Sequence, residues 1–294
     1  MTLTDEVRAD CEAIAARARY VRIDLEALGE VHPGPPPALH PQFHYLEGEL
    51  ADVADYLLAL DAINFGSGWF PTLRKRSHEG RPLGGYFTVA WGLAEHTRAH
   101  GAPSAAWLRS VGSREIAGIL GQPPDHELMS LYAQALRGLG RFLGARRALD
   151  LVEQARGSAE RLAQMLAQGM AMFDDRGFYK RAQIAANDLA LAGVAQLCDL
   201  DRLTIFADNL VPHVLRCEGV LVYDSELAAL VDGGRLLPMG GAEREIRACA
   251  LHACELISAR TGIPARKLDT WLWVRGQQPH YKARPRHRCR NVFY

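Results

Sequence analysis

Apolar residues recur at three- and four-residue intervals along most of the chain, and Ala and Leu supply many of them, so the pattern predicts helices. The predicted helices cover residues 4–18, 49–60, 86–100, 104–110, 113–120, 125–142, 146–155, 159–168, 178–192, 201–210, 211–217, 225–232 and 242–260. Strand signals are few: residues 20–24, the stretch around LRKRSHEGRPLGG, and the short 219–223. The Pro-rich run VHPGPPPALHP, residues 31–41, fits neither a helix nor a central strand and reads as an ordered surface loop or the entry to a site. No internal repeat is visible. The expected fold is mostly α, a single domain over residues 1–294 with a small N-terminal β element.

Composition narrows the function classes. The chain has 294 residues, 48% of them hydrophobic, enough for a sizeable core. Lys plus Arg number 34 and Asp plus Glu also 34, so no global basic field draws the chain to nucleic acid, and any anion site must be local. Six cysteines, at 11, 198, 217, 249, 254 and 289, form no CxxC pair and read as reduced thiols of a cytosolic protein. The start, MTLTDEVRADCEAIAARARY, is acidic and amphipathic and does not read as a signal peptide. No run approaches the roughly 18 apolar residues of a membrane span. The expected location is therefore the cytoplasm, with no membrane partner.

Candidate chemistry concentrates in residues 178–212, FYKRAQIAANDLALAGVAQLCDLDRLTIFADNLVP. Lys180 and Arg181 open a predicted helix, and Lys180, Gln183, Asn187 and Leu191 follow at spacings that share one side of it. First-turn amides with two cations make a phosphate cradle. The same cations could instead pair with Asp174 and Asp175 on a solvated turn. Asp208 stands inside the apolar run LTIFADNLVP, where a carboxylate must be neutralised, paired or used. It could cap a helix beginning near Val211, with Pro212 in the first turn. Alternatively it faces a developing oxocarbenium ion, stabilising it, orienting water or attacking it.

Several strings then follow one another in order: FYKRAQI, LTIFAD followed by VP, GVLVYDSEL, AEREIRACALHACELI, LDTWLW and the terminal HRCRNVFY. In these the chain resembles the queuosine salvage protein family, the queuosine 5′-phosphate N-glycosylase/hydrolases, throughout residues 173–294. The likeness is thinner in the N-terminal half, carried by DAINFGSGW and GGYFTVAWGLAE. The resemblance implies a mostly helical fold similar to helix-hairpin-helix DNA glycosylases, acting on a free nucleotide. It implies hydrolysis of the N-glycosidic bond of queuosine 5′-monophosphate to release queuine, a 7-deazaguanine base, for salvage in tRNA modification.

By the same resemblance Asp208 is the catalytic carboxylate, and Lys180, with Arg181, binds the phosphate. Asn64, Phe65, Trp69, Tyr179 and Asn209 fall around the ribose and base; Gln183, Glu245, Arg247, His287 and Arg288 support the site. A 7-deazapurine has no N7 to protonate, so more of the work falls on stabilising the ribosyl cation. The chain departs from the family where NFGSGW stands for an NFxFW-type segment, where the helix after Tyr86 reads FTVAWGL, and at Asn209, an aromatic position in relatives. These departures bear on the base.

Other features carry less. His280, His287 and Cys289 fit no tetrahedral spacing, so neither a metal nor a cofactor is expected. The glycine-bearing LRGLGRFLGARRAL, residues 136–149, has the look of a DNA-binding hairpin, with Arg141, Arg146 and Arg147 as phosphate ligands, but without interleaved aromatics or net basic charge it reads better as an Ala/Leu helix, a glycine turn and solvated arginines. Trp271 and Trp273 read as core, one of them lining a pocket. The alternatives to queuosine 5′-monophosphate hydrolysis are an N-glycosylase for another modified nucleotide or for DNA or RNA, and a non-catalytic nucleotide-binding homologue.

Overall fold

The computed structural model describes residues 2–35 and 38–294. Pro36 and Pro37, in the middle of the predicted Pro-rich loop, lie outside them; the described residues on either side form no helix or strand, as expected. Helix α1 (Leu3–Ala16) opens on a capping box between Thr2 and Asp5. It is followed by β1 (Val21–Ile23), α2 (Leu25–Gly29) and α3 (Leu50–Ala62). A β2–β3 hairpin (Ser77–His78, Arg81–Pro82) leads into α4 (Gly85–His100), then α5 (Ala105–Ser110), α6 (Ser113–Leu120), α7 (Glu127–Leu143), α8 (Ala148–Gln154) and α9 (Ala159–Gly169). The second half holds α10 (Lys180–Leu191), α11 (Val211–Cys217), β4 (Leu221–Tyr223), α12 (Ser225–Asp232), α13 (Ala242–Thr261), α14 (Ala265–Arg275) and α15 (Pro279–Lys282).

The chain is thus mostly helical with a small β component. That component is not wholly N-terminal: β1 pairs antiparallel with β4, Val21 opposite Tyr223, and so ties the N-terminal segment to the second half of the chain. Helix α10 packs between α3 and α9, while α13 packs against α1 and α14, which also lies on α11. No helix among the described residues is long and apolar enough to cross a membrane.

Two departures from the predicted elements shape the site. The helix expected over residues 201–210 is only a 3-10 turn, Leu200–Arg202, followed by extended chain. Backbone hydrogen bonds of this buried stretch go to side chains of three helices rather than to a helix of its own. Thr204 N–H donates to Gln183 Oε1 (2.9 Å), Phe206 N–H to Asp269 Oδ1 (2.8 Å), and the Ala207 carbonyl accepts from Arg247 Nε (2.9 Å). Secondly, α14 lies where the pattern predicted no helix. Pro264 serves as its N-cap, and its Leu268 and Leu272 are buried while Thr270 and Trp273 stay partly open.

Candidate active site

Three of these elements meet a cavity of about 450 Å³. Helix α10 presents Lys180, Ile184, Asn187, Asp188 and Leu191 to it, one stripe of a helix; the extended stretch contributes Phe206, Asp208 and Asn209, and α14 contributes Asp269 and Trp273. A sharp turn aims the first of these groups. Phe178 and Tyr179 N–H both donate to the Asp175 carbonyl (2.9 and 2.7 Å), with Gly177 at φ 86° and Tyr179 at φ 48°. A side chain on Gly177 would both strain that backbone and run into Arg244, so the helix starts at Lys180 and not at the predicted residue 178.

Asp208 is half-buried. Its Oδ1 accepts from the amides of Leu210 (2.7 Å) and Val211 (3.2 Å), at the start of α11. The capping geometry foreseen from sequence is therefore present, but it occupies one oxygen. Oδ2 takes part in no hydrogen bond among the described residues, and the group lines the cavity.

Lys180 is buried, donating to the Asn64 carbonyl (3.0 Å) and to Asn64 Oδ1 (3.4 Å). Burial lowers its ammonium to about 8, and the fields of Asp208, Asp61 and Asp269 hold it from falling further. Around it stand three carboxyl groups that the sequence pattern had not singled out. Asp269 is pushed up to about 8, by burial and then by the Asp208 charge. Asp188 is pushed up to about 6 by burial, against an Asn187 hydrogen bond and the Lys180 charge. Asp61, wholly inside, is raised well above the ordinary carboxylate range by burial and by Asp188. At neutral pH the cavity thus holds carboxyl groups in different protonation states, set by environment.

One wall is aromatic. Trp273 stands edge-on to Tyr86 and Phe87, with ring centroids 5.5 and 5.4 Å apart, and the Tyr86 hydroxyl pairs with His44 Nε2 at 2.9 Å. The signal that could have found this wall is LDTWLW, in which Asp269 and Trp273 lie four residues apart and share a face once the segment is a helix. No such signal marked Asp61 or Asp188, which sit in ordinary helical runs.

Of the other residues expected at the site, Asn64, Phe65 and Asn209 line the cavity, and Asn209 Nδ2 donates to the His287 carbonyl (3.1 Å). Trp69 does not: it is buried, donating through Nε1 to Glu127 Oε2 (2.7 Å). Tyr179 is half-buried and is not among the residues that line the cavity. Arg181 is also away from the cavity lining. Its guanidinium is buried between the Phe65 and Phe173 rings and donates to the carbonyls of Ala62 (2.5 Å), Val292 (2.7 Å) and Met172. With both terminal nitrogens donating to backbone, Nε buried without a partner among the described residues and its plane between two rings, it is placed to clamp the fold and does not line the cavity.

The residues expected in support act at one remove. Gln183 and Arg247 hold the backbone that carries Asp208, and Arg247 also pairs with Asp175 (2.5 Å) and covers the Phe178 and Tyr294 rings. Glu245 instead takes the amides of Arg19 and Tyr20 (2.9 and 2.8 Å), fixing the entry to β1. His287 is buried with both ring nitrogens unpaired, and burial with Arg247 nearby pushes it down to about 3, so its ring is neutral. Arg288 reaches the Gly234 carbonyl, and its own carbonyl accepts from Leu237 N–H (2.8 Å).

The altered NFGSGW segment has a packing reason. A Cβ on Gly68 would collide with the Cys289 carbonyl, and Gly66 N–H donates to the Tyr294 carbonyl (3.0 Å). The C-terminal tail thus fills the space beside this loop, and Tyr294 itself lines the cavity. Among the described residues no cluster of His, Cys, Asp and Glu could hold a metal ion.

Comparison with known proteins agrees with the order of motifs. The family model described as queuosine salvage protein matches residues 41–294. The queuosine 5′-phosphate N-glycosylase/hydrolase of Sphaerobacter thermophilus is 31% identical over 96% of this chain and 95% of its own. Proteins of the same name from Bos taurus (26% identical, 98% of this chain and 92% of theirs) and Nematostella vectensis (28%, 82% and 81%) are similar along most of their length. With the motifs in order and the match running to the last residue, the chain belongs to the queuosine salvage protein family.

Proposed function

We propose that the chain hydrolyses the N-glycosidic bond of queuosine 5′-monophosphate, releasing queuine for salvage, with Asp208 at the anomeric centre. The observation that carries this reading is the Asp208 carboxylate, anchored through one oxygen by two amides while the other is left free beside the cavity, in a chain whose relatives bear that activity in their names. In the reaction the C1′–N bond breaks with its electron pair leaving on the base, water supplies the new C1′–O bond, and one water proton ends on the released base. A 7-deazapurine cannot be protonated at N7, so the barrier is lowered chiefly by negative charge facing the ribosyl cation. A carboxylate fixed in advance does this without reorganising. Lys180 balances the added charge among the carboxyl groups, and the aromatic wall of Tyr86, Phe87 and Trp273 offers a face for the base.

The cavity volume is that of a small-molecule site. No cofactor enters this reading. A free nucleotide suits it better than a nucleic acid, because two of the three arginines named in the hairpin-like segment are used internally, while Arg141 is exposed. Arg146 donates to the Phe142 and Leu143 carbonyls, and Arg147 pairs with Asp52 and Asp55 (2.5 and 2.7 Å). The α7–Gly144–α8 turn is the feature that supports a kinship of fold with helix-hairpin-helix glycosylases, with the whole chain acting as one domain. The free cysteines suit a reducing cytoplasm.

The test is mass spectrometry of products from queuosine 5′-monophosphate, other 7-deazaguanine monophosphates and ordinary nucleoside monophosphates. Queuine released preferentially from the first is the expected result. Nucleotide left intact by the wild-type chain, or preferred release of another base, would sink the reading.

A further inference from the structure

Lys180 is an answered charge: its ammonium is held by Asn64 and stands in the fields of Asp208, Asp61 and Asp269. At Arg286, which also feels the Asp208 charge, the balance is reversed. Arg286 lines the cavity, and its guanidinium has no hydrogen bond or ion pair among the described residues. Its neighbours in charge are Lys75 and Lys282, also without an ion pair among the described residues; burial and then the Arg286 charge lower both lysines. Burial lowers Arg286 itself, and the carboxylate acting on it is Asp208. Like charges held together with no counter-ion are costly unless an anion joins them.

The backbone brings a further set of donors to the same place. Helix α4 begins at Gly85 after Gly84, both lining the cavity, and its first turn has no side-chain cap. The irregular segment carrying Lys75, just before β2, is locked beside that turn: Leu83 N–H donates to the Arg76 carbonyl (2.8 Å) and Arg76 N–H to Thr88 Oγ1 (3.2 Å). A side chain on Gly85 would run into the Phe70 ring, so glycine keeps this corner narrow. An uncapped first turn, a guanidinium lining the cavity and two exposed lysines in the field of that guanidinium together match a phosphate monoester.

We infer that Arg286, with Lys75, Lys282 and the start of α4, forms the seat of the substrate's phosphate, leaving Lys180 to the carboxyl groups around the sugar. This rests on the reading of the chain as a nucleotide N-glycosylase and assigns the 5′-phosphate to residues other than the Lys180–Arg181 pair.

The experiment compares kcat/KM for queuosine 5′-monophosphate and for unphosphorylated queuosine in the wild type, Arg286→Gln, Arg286→Lys and the double variant Lys75→Ala with Lys282→Ala. The ratio of monophosphate to nucleoside should fall about 10- to 100-fold in Arg286→Gln and less in Arg286→Lys, the loss of one or more charge-assisted hydrogen bonds. In the double variant it should fall several-fold, and because those lysines are exposed, this variant decides the matter if Arg286→Gln does not fold. A ratio unchanged in every folded variant overturns the seat while wild-type turnover stands. A wild type that releases no queuine ends the functional reading instead. The seat is then judged by calorimetric binding of queuosine 5′-monophosphate, where equal affinity in wild type and folded variants overturns it.

Discussion

Asp208 and Leu210 are joined by a hydrogen bond of 2.7 Å, from the Leu210 amide to Asp208 Oδ1. The bond fixes the carboxyl group at the mouth of α11 and leaves its second oxygen for the same cavity that Lys180, Asp188 and Asp269 line. A structural cap and a reactive group, which compete as explanations on sequence alone, are here two oxygens of one side chain.

Replacing Asp208 should separate the two. In Asp208→Asn the amide oxygen still accepts from Leu210 and Val211, so the variant should fold with nearly unchanged stability while the charge is lost. Queuine release should drop by about a hundredfold to a thousandfold or more, as when a preorganised electrostatic contact is removed. Asp208→Ala should lose the cap as well, about 1 kcal/mol of stability. The check is product release together with urea midpoints for both variants; turnover at the wild-type rate in Asp208→Asn would refute the catalytic role.

Arg181 should behave as a clamp on the fold. Arg181→Met leaves the carbonyls of Ala62, Met172 and Val292 buried without their donor. At about 1–3 kcal/mol for each unpaired group, the loss should reach about 3 kcal/mol or more. Denaturant titration should show that loss, while any folded protein keeps its preference for monophosphate over nucleoside. A stable variant with that preference abolished would return Arg181 to the phosphate.

The contrast between Lys180 and Arg181 shows where sequence reading succeeds and where it stops. Adjacent positions on a helix point about 100° apart, and nothing local says which of these two faces the cavity. The helical pattern was legible because Ala and Leu recur at helical spacing, and Asp208 was legible because a charge in an apolar run is costly. The extended stretch before Asp208 was not. It owes its shape to Gln183, Asp269 and Arg247, which are 21, 63 and 40 residues from the groups they hold. Asp61 and Asp188 were missed for a related reason: each looks like any helical aspartate until α3 and α10 pack and remove both from water.

The carboxyl groups of the cavity should leave a mark on stability against pH. Asp269 titrates at about 8 in the folded chain, against an ordinary value of 3.8. Between these the folded state holds more protons than the unfolded one, so this group makes stability fall as pH rises from near 4 to near 8. Asp188 acts with the same sign up to about 6. Lys180, lowered to about 8 from 10.5, works oppositely, adding stability as pH rises between those values. Asp269→Asn keeps an oxygen for the Phe206 amide and removes the titration. Its stability relative to wild type should therefore climb steadily from pH 4 to pH 8 in urea titrations, and parallel curves for the two proteins would contradict the assignment.

The tail that closes the cavity depends on a single missing methyl group. With a Cβ on residue 68 colliding with the Cys289 carbonyl oxygen and only 2.7 Å from its carbon, Gly68→Ala must push backbone against backbone, which cannot give way as a side chain would. The displaced segment carries Val292, which accepts from Arg181, and Tyr294, which covers Arg247 and accepts from Gly66. Overpacking of this kind costs about 1–3 kcal/mol. Because Arg286 and Tyr294 line the cavity from the same tail, KM for the nucleotide should rise along with the loss of stability. Limited proteolysis should find the C-terminal residues cut sooner than in the wild type. Wild-type kinetics and an uncut tail in Gly68→Ala would mean that the tail does not need this glycine.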